Sequence, residues 1–255
     1  MKHFINSNFK EQHASSVPLE RSDHSAMRGS DMAVSELLTL NAGKASRPRR
    51  DARYRVMKTM FDVTLAGAAL VLLSPLFLVI ATIIKLTSPG PVMFRQDRYG
   101  LNGEVFSIYK FRTMSQDDGD LSGVTQTVKD DPRVTAIGRF LRSTSFDELP
   151  QLINIVKREM SVVGPRPHVP GMLANGILYE EFDSRYMDRH RVLPGLTGLA
   201  QVKGFRGETN TEHSARMRLN YDLEYIRRQS IRLDLRITIN TFWKEIGRAS
   251  CRERV

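Results

Sequence analysis

The sequence lacks most of the residues that staple or metallate a small protein. A single cysteine, Cys251, stands among 255 residues, so no disulfide framework and no cysteine-built zinc site can form. The six histidines, at 3, 13, 24, 168, 190 and 213, share no metal-ligand spacing, and a histidine-based metal site is set aside. There is no internal repeat, no Walker or Rossmann glycine pattern, and no helix-turn-helix or aromatic RNA-binding motif. No apolar core followed by a small-residue cleavage site opens the chain, which argues against a secretory signal. Acidic residues are the minority charge. With 28 Asp and Glu against 38 Lys and Arg, the formal net charge is +10. Nucleic acid, acidic lipid headgroups or a phosphorylated substrate would suit such a surface.

What is present begins with polar sequence. Residues 1–53 are rich in Ser, Ala and charge without a sustained period and read as a flexible tail. A basic cluster, Arg47 to Lys58, then leads into Val63–Ile84, with no charge between Asp62 and Lys85. As a helix at ~1.5 Å per residue, that run could cross a hydrocarbon core of about 30 Å. Ser74-Pro75 at its middle predicts a sharp bend, because proline removes a backbone donor and disfavours helix at the preceding residue. Basic residues on both flanks would hold both ends on the cytoplasmic side. A re-entrant helix-break-helix and a kinked spanning helix both stay open. A buried helix of a soluble protein is a third reading.

Downstream, residues 92–96 and 104–111 alternate around Gly100–Gly103 and predict a β-hairpin. An acidic loop is expected over 115–131, a short helix around Ile137–Leu141, and another starting near Asp147 with Pro150 in its first turn. Residues 161–167 read as an extended connector and 171–190 as helical. Loops are expected at 194–198 and 201–207, then a helix over 217–228 and an amphipathic 231–239 that fits helix or strand. Back-translation of Gly247–Val255 as GGA AGA GCG TCG TGT AGG GAA AGA GTG matches a common short-read sequencing adapter. Residues 246–255 are therefore left out of fold reasoning; losing their three Arg and one Glu takes the charge from +10 to +8.

The chemistry centres on Asp147-Glu148. Judged locally, the pair is a helix cap: Glu148 follows Ser145 by three residues, as in a capping box, and Asp147 could cap by itself. Arg112, Arg142, Arg166 and Arg206 shift that balance. Each lies beside Gly, Pro or Thr loop residues, and arginine binds phosphate bidentately, although a lone arginine is more often a surface or salt-bridge residue. Nucleic-acid binding explains less, because the basic residues bracket an apolar segment. Phosphoryl transfer at a membrane surface explains more.

Nine ordered motifs then carry a resemblance. They are Lys58–Asp62, Ser74-Pro75, Gly90–Val92, Lys110–Met114, Leu141-Arg142, Ser145–Leu152, Val163–Pro167, Pro194–Val202 and Asp222–Ile226. Over roughly 54–244 the chain resembles the bacterial sugar transferases, the monotopic polyprenyl-phosphate hexose-1-phosphate transferases of the type that initiates exopolysaccharide synthesis. The resemblance implies a mainly α fold with a small β-hairpin (α+β). It implies a re-entrant membrane helix over 54–88, broken at Ser74 and Pro75, and a catalytic domain over 89–245 on the cytoplasmic face of the bacterial inner membrane. It implies that Asp147 attacks the sugar-bearing phosphorus of a UDP-hexose, that UMP leaves, and that polyprenyl (undecaprenyl) phosphate takes the phosphosugar from the aspartate. Glu148 would hold Mg²⁺; Arg112, Arg142, Arg166 and Arg206 would position phosphates, supported by Lys110 and Asp222. No nucleic-acid partner is implied. Phe146 stands where the family usually has Leu, and Lys203 where it often has Asn. The stretches Gly204–Glu208 and Pro165–Met172 are similar to members that use UDP-glucose or UDP-galactose. A non-catalytic membrane adaptor with the same fold is the alternative.

Overall fold

The computed structural model describes residues 52–115, 131–174, 177–206 and 211–252, with side chains at 245–252 outside the description. The expected tail up to residue 51 and nearly all of the expected acidic loop lie outside the described residues.

The first element, α1, spans Ala52–Thr87. Its apolar middle has few buried side chains: Val71, Leu72 and Leu78 are exposed, while Ala66, Ile80 and Ile84 pack inward. By length and composition α1 could cross a membrane. The helix runs unbroken through Pro75, which corrects the expected break into two helices and is compatible with a bend at Ser74-Pro75. Proline removes one hydrogen bond and can bend a helix without ending it. Ser74 Oγ donates to the Val71 carbonyl at 2.8 Å, so its hydroxyl is satisfied inside the helix.

Strands β1 (Met93–Tyr99) and β2 (Val105–Phe111) form the expected antiparallel hairpin, with Phe94 opposite Lys110 and Tyr99 opposite Val105. A 3₁₀ turn at Leu101–Gly103 joins them, and Asn102 takes a left-handed φ of 56° there. Helix α2 (Ala136–Thr144) is capped by Thr135, whose side chain accepts from the Gly138 amide. Gly138 lets α2 lie directly on the end of β2, since a Cβ there would meet the Thr113 carbonyl oxygen at 2.0 Å. Ser145 follows in the left-handed region at φ 61° and turns the chain into a 3₁₀ turn, Phe146–Glu148. Helix α3 (Gln151–Val156) starts behind Pro150, which needs no donor there.

The Pro-Arg-Pro connector begins as β3 (Ser161–Val163), parallel to β6 (Gly195–Thr197). The second segment had been expected to be a loop. The two chains approach so closely that a Cβ on Gly195 would meet the Gly164 amide nitrogen at 2.1 Å, which explains both glycines. The expected helix over 171–190 is not formed. It is replaced by the two-residue strands β4 (Leu173–Ala174) and β5 (Ile177–Leu178), the single turn α4 (Tyr179–Phe182) and a 3₁₀ segment, Tyr186–Arg191. Packing explains the difference: Tyr179 and Tyr186 are buried against His168, and turning both inward overrides a continuous helix. A short α5 (Leu199–Val202) precedes α6 (Glu212–Arg228) and α7 (Ile231–Arg252). The 231–239 stretch is thus helical, and α7 continues into the segment attributed above to an adapter.

A buried ionic knot joins these parts. Lys58 Nζ lies 3.0 Å from carboxylate oxygens of both Asp62 and Asp234. Asp62 accepts from the Val162 amide, and the Tyr225 hydroxyl donates to Asp234 at 2.8 Å. The base of α1, strand β3 and helices α6 and α7 are thereby fixed to one another. Among the described residues the result is mainly helical with a small β content, as expected.

Candidate active site

Asp147 and Glu148 sit side by side in the 3₁₀ turn, yet their surroundings differ. Both are buried. Glu148 faces three cations: Lys110 Nζ at 3.1 Å, Arg166 through both terminal nitrogens at 2.5 and 3.2 Å, and Arg206 at 3.7 Å. Burial alone would raise its pKa, but Arg166, Lys110 and Arg206 outweigh that and hold it well below the ordinary glutamate value. Asp147 accepts no hydrogen bond and makes no ion pair among the described residues. Burial pushes its carboxyl up from the usual 3.8, against the opposing fields of Lys110, Arg142 and Arg166. Neither residue acts as the side-chain cap considered above: no side chain caps the 3₁₀ turn or α3, and Ser145 Oγ accepts from Arg206 at 2.9 Å. The two carboxylates therefore have separate capacities. Glu148 is an anchor for cations, and Asp147 is a carboxylate of raised basicity without a bound partner.

The elements around the pair explain how this is held. Lys110 comes from β2 and Arg166 from the connector after β3. Arg142 comes from the last turn of α2, where its Nε donates to Thr113 Oγ1 at 2.9 Å. Arg166 is fixed through its backbone. Its carbonyl accepts from Arg189 Nη2 at 2.8 Å, the next carbonyl, of Pro167, accepts from Arg98, and that of His168 accepts from the Tyr99 amide. Asp222 stands behind that arrangement and pairs with Arg189 at 2.6 Å in the interior. Its expected place as a supporting residue thus runs through Arg189. Arg112 lies elsewhere. Its guanidinium is buried at the C-terminal end of α1 and donates to the carbonyls of Ser88 and Pro89 and to the Ser88 hydroxyl. It satisfies backbone carbonyls of the turn that follows α1, reaches the Ile84 carbonyl of the helix itself at 3.5 Å, and does not join the Glu148 cluster.

Residues 53–248 match the family model of the bacterial sugar transferases. The chain belongs to that family. It is 50% identical over 193 residues to the exopolysaccharide production protein PSS of Rhizobium leguminosarum bv. phaseoli, a match covering 76% of this chain and 96% of that protein. It is 47% identical over 190 residues to the UDP-glucose:undecaprenyl-phosphate glucose-1-phosphate transferase of Escherichia coli (strain K12), covering 74% of this chain and 40% of that one. The undecaprenyl-phosphate glucose phosphotransferase of Komagataeibacter xylinus is 49% identical over 189 residues, with 74% and 36% covered. The chain thus spans nearly all of the first relative and two fifths or less of the other two.

For a bacterial sugar transferase, a divalent cation beside a diphosphate has an obvious use, and the donor set can be tested for it. Among the described residues no group of three or more His, Cys, Asp or Glu side chains could hold a metal. A protein cage is therefore not what these residues provide. Mg²⁺ commonly binds through one or two carboxylates, with phosphates and water supplying the rest. Glu148 has that capacity, but its oxygens are engaged by Lys110, Arg166 and Arg206, so it would take such an ion only as substrate phosphates draw those cations away.

Arg98, Arg189, Arg218, His168 and His190 were missed from sequence. Arg189, Arg218 and the two histidines are buried with Tyr179 and Tyr186 behind Arg166, and Arg98 is half-buried. Burial, reinforced by Arg189, pushes both histidines down, His190 to about 4, so both are neutral at pH 7. The one available signal was Asp222 itself, since a helix-borne aspartate in the interior requires a buried cation.

Proposed function

We propose that this chain transfers hexose-1-phosphate from a UDP-hexose to polyprenyl (undecaprenyl) phosphate, releasing UMP as the first step of exopolysaccharide synthesis. The names of the relatives favour glucose as the hexose. The observation that carries the chemistry is the unequal carboxylate pair, Glu148 bound by Lys110, Arg166 and Arg206 beside an Asp147 with no partner among the described residues.

An Asp147 carboxylate oxygen forms a bond to the sugar-bearing phosphorus while the bond from that phosphorus to the bridging diphosphate oxygen breaks. UMP leaves with that oxygen, and the hexose phosphate stays on the aspartate. An oxygen of polyprenyl phosphate then attacks the same phosphorus and the aspartyl oxygen departs, which restores Asp147. Arg142, Arg166, Arg206 and Lys110 supply positive charge where phosphate charge accumulates. Mg²⁺ bound with the diphosphate at Glu148 would offset charge on the departing UMP. Glu148 keeps the cations in place when the diphosphate is absent.

The apolar helix α1 brings this site to the lipid. In this reading it enters the bacterial inner membrane re-entrantly from the cytoplasmic face, bent at Ser74-Pro75, with both basic flanks on that side. Membranes supplied with radiolabelled UDP-glucose test the reaction. Label is expected in the organic phase in a Mg²⁺-dependent manner, and Asp147→Asn is expected to abolish it. Unchanged transfer by that variant would refute the role given to Asp147. Periplasmic labelling of a cysteine placed just beyond α1 would contradict the re-entrant path.

A further inference from the structure

Beside the carboxylate pair lies a cavity of about 340 Å³ that the chemistry above does not use. Most of its accessible wall is apolar, from Leu149, Val162, Leu196, Val202 and Phe242, with Thr197, Gln201, Thr241 and Lys244 also on it. Glu148, Ser145 and Arg206, which contact one another, line it as well, so the cavity reaches the place where phosphate charge is handled. Phe146, in the same turn as Asp147, forms part of the lining. Two helices with exposed aromatic side chains flank it: α2 carries Phe140, and α7 carries Phe242 and Trp243. Aromatic side chains of this kind suit a membrane–water interface. The cavity is thus cationic at the reacting end, apolar along its length, and bordered by side chains that favour the lipid boundary. The predominance of apolar surface in the wall suits a hydrocarbon chain better than a nucleoside.

We propose that this cavity takes the first isoprene units of the lipid acceptor, with the acceptor phosphate at the Arg206 end. The assignment rests on the reaction proposed above and adds the place where its second substrate binds. Phe146 then has a use: its ring, edge-on to Phe140 at 6.2 Å, forms part of the wall near the nucleophile. The acceptor phosphate would approach Asp147 from the α7 side of the 3₁₀ turn.

Thr238, on α7, also lines the cavity, and its hydroxyl donates to the Asp234 carbonyl within the helix at 2.9 Å. Thr238→Phe fills the space, with Thr238→Ser as the control that keeps it open. The expected result is that KM for polyprenyl phosphate rises roughly tenfold to a hundredfold, the size of a lost buried apolar contact. UMP release from UDP-glucose without lipid, and KM for UDP-glucose, are expected to stay as in the unaltered chain. A rise in KM for UDP-glucose alone would give the cavity to the nucleotide and overturn the proposal. So would no change in either constant. The unaltered full chain provides a measurement independent of the variant's folding. A farnesyl phosphate carrying a benzophenone is expected to crosslink to α7 or to the 196–202 segment, and undecaprenyl phosphate to compete the label away. Crosslinks elsewhere, or equal competition by phosphatidylglycerol, would overturn the proposal. Failure of the unaltered chain to release UMP would count against the proposed reaction, while the crosslink would still decide the cavity.

Discussion

Arg189→Met removes a guanidinium that the protein keeps in its interior. Arg189 and Asp222 pair at 2.6 Å with side chains only 1% and 2% exposed, so solvent does little to screen them. The same Nη2 donates to the Arg166 carbonyl, and the guanidinium lies 5.4 Å from the Tyr186 ring centre. Methionine roughly keeps the volume but leaves Asp222 without its cation. Breaking a buried pair from one side costs about 3–5 kcal/mol. For a domain of this size that corresponds to a fall in Tm of roughly 6–20 °C. Asp222→Asn in the same chain removes the stranded charge, so the double variant is expected to regain much of the loss. Burial raises the Asp222 pKa, while Arg189 and then Arg218 pull it back. Without Arg189 the carboxyl protonates at higher pH, and the deficit of the single variant should shrink as pH falls. Thermal melts of the four proteins of the cycle, in detergent, read all of this. A single variant within about 1 kcal/mol of the parent, or strictly additive effects, would refute the reasoning.

Three further outcomes are expected. Asp147→Asn should stop sugar-phosphate transfer while raising Tm: burial raises the folded-state pKa of this carboxyl, so its ionised form at neutral pH costs stability that asparagine removes. A lowered Tm would contradict that sign. Glu148 shifts the other way, so its contribution to stability is present above its unfolded pKa and is lost as pH falls through its depressed folded pKa. Glu148→Gln should therefore be the less stable protein at neutral pH, with the gap closing in strong acid; a constant gap across a pH series of melts would argue otherwise. Arg112→Met should cost about 2 kcal/mol or more, because charged hydrogen bonds to the turn after α1 are lost, with no change in KM for UDP-glucose. A raised KM with unchanged Tm would return Arg112 to phosphate binding.

How much could be read in the sequence depended on how local each signal was. The hairpin at 93–111 was legible because alternation and Gly100–Gly103 are neighbours in the chain. The long apolar helix was legible from composition, but Pro75 pointed to an interruption that intrahelical hydrogen bonding does not require. The 171–190 region misled because its apolar spacing fits a helix, whereas Tyr179 and Tyr186 are drawn inward by His168 and the neighbouring aromatic rings. Asp147 and Glu148 were recognised through arginines distant in sequence, of which the fold brings Arg166 and Arg206 to Glu148 and Arg142 into the field of Asp147, with Arg112 placed elsewhere. Arg189 and Arg98 had no local signature at all. Both act on main-chain carbonyls of the 166–167 segment, and only the folded chain brings them there.

The claim on which the rest depends is that Asp147 carries the sugar phosphate between donor and acceptor. Purified full-length protein mixed with UDP-glucose and Mg²⁺, without lipid, allows the carrier to be trapped and its peptides analysed by mass spectrometry. The account predicts one hexose phosphate on the peptide containing Asp147, UMP released in equal amount, and loss of the adduct on adding polyprenyl phosphate. Lipid-dependent turnover with no adduct, or an adduct that survives in Asp147→Asn, would contradict it.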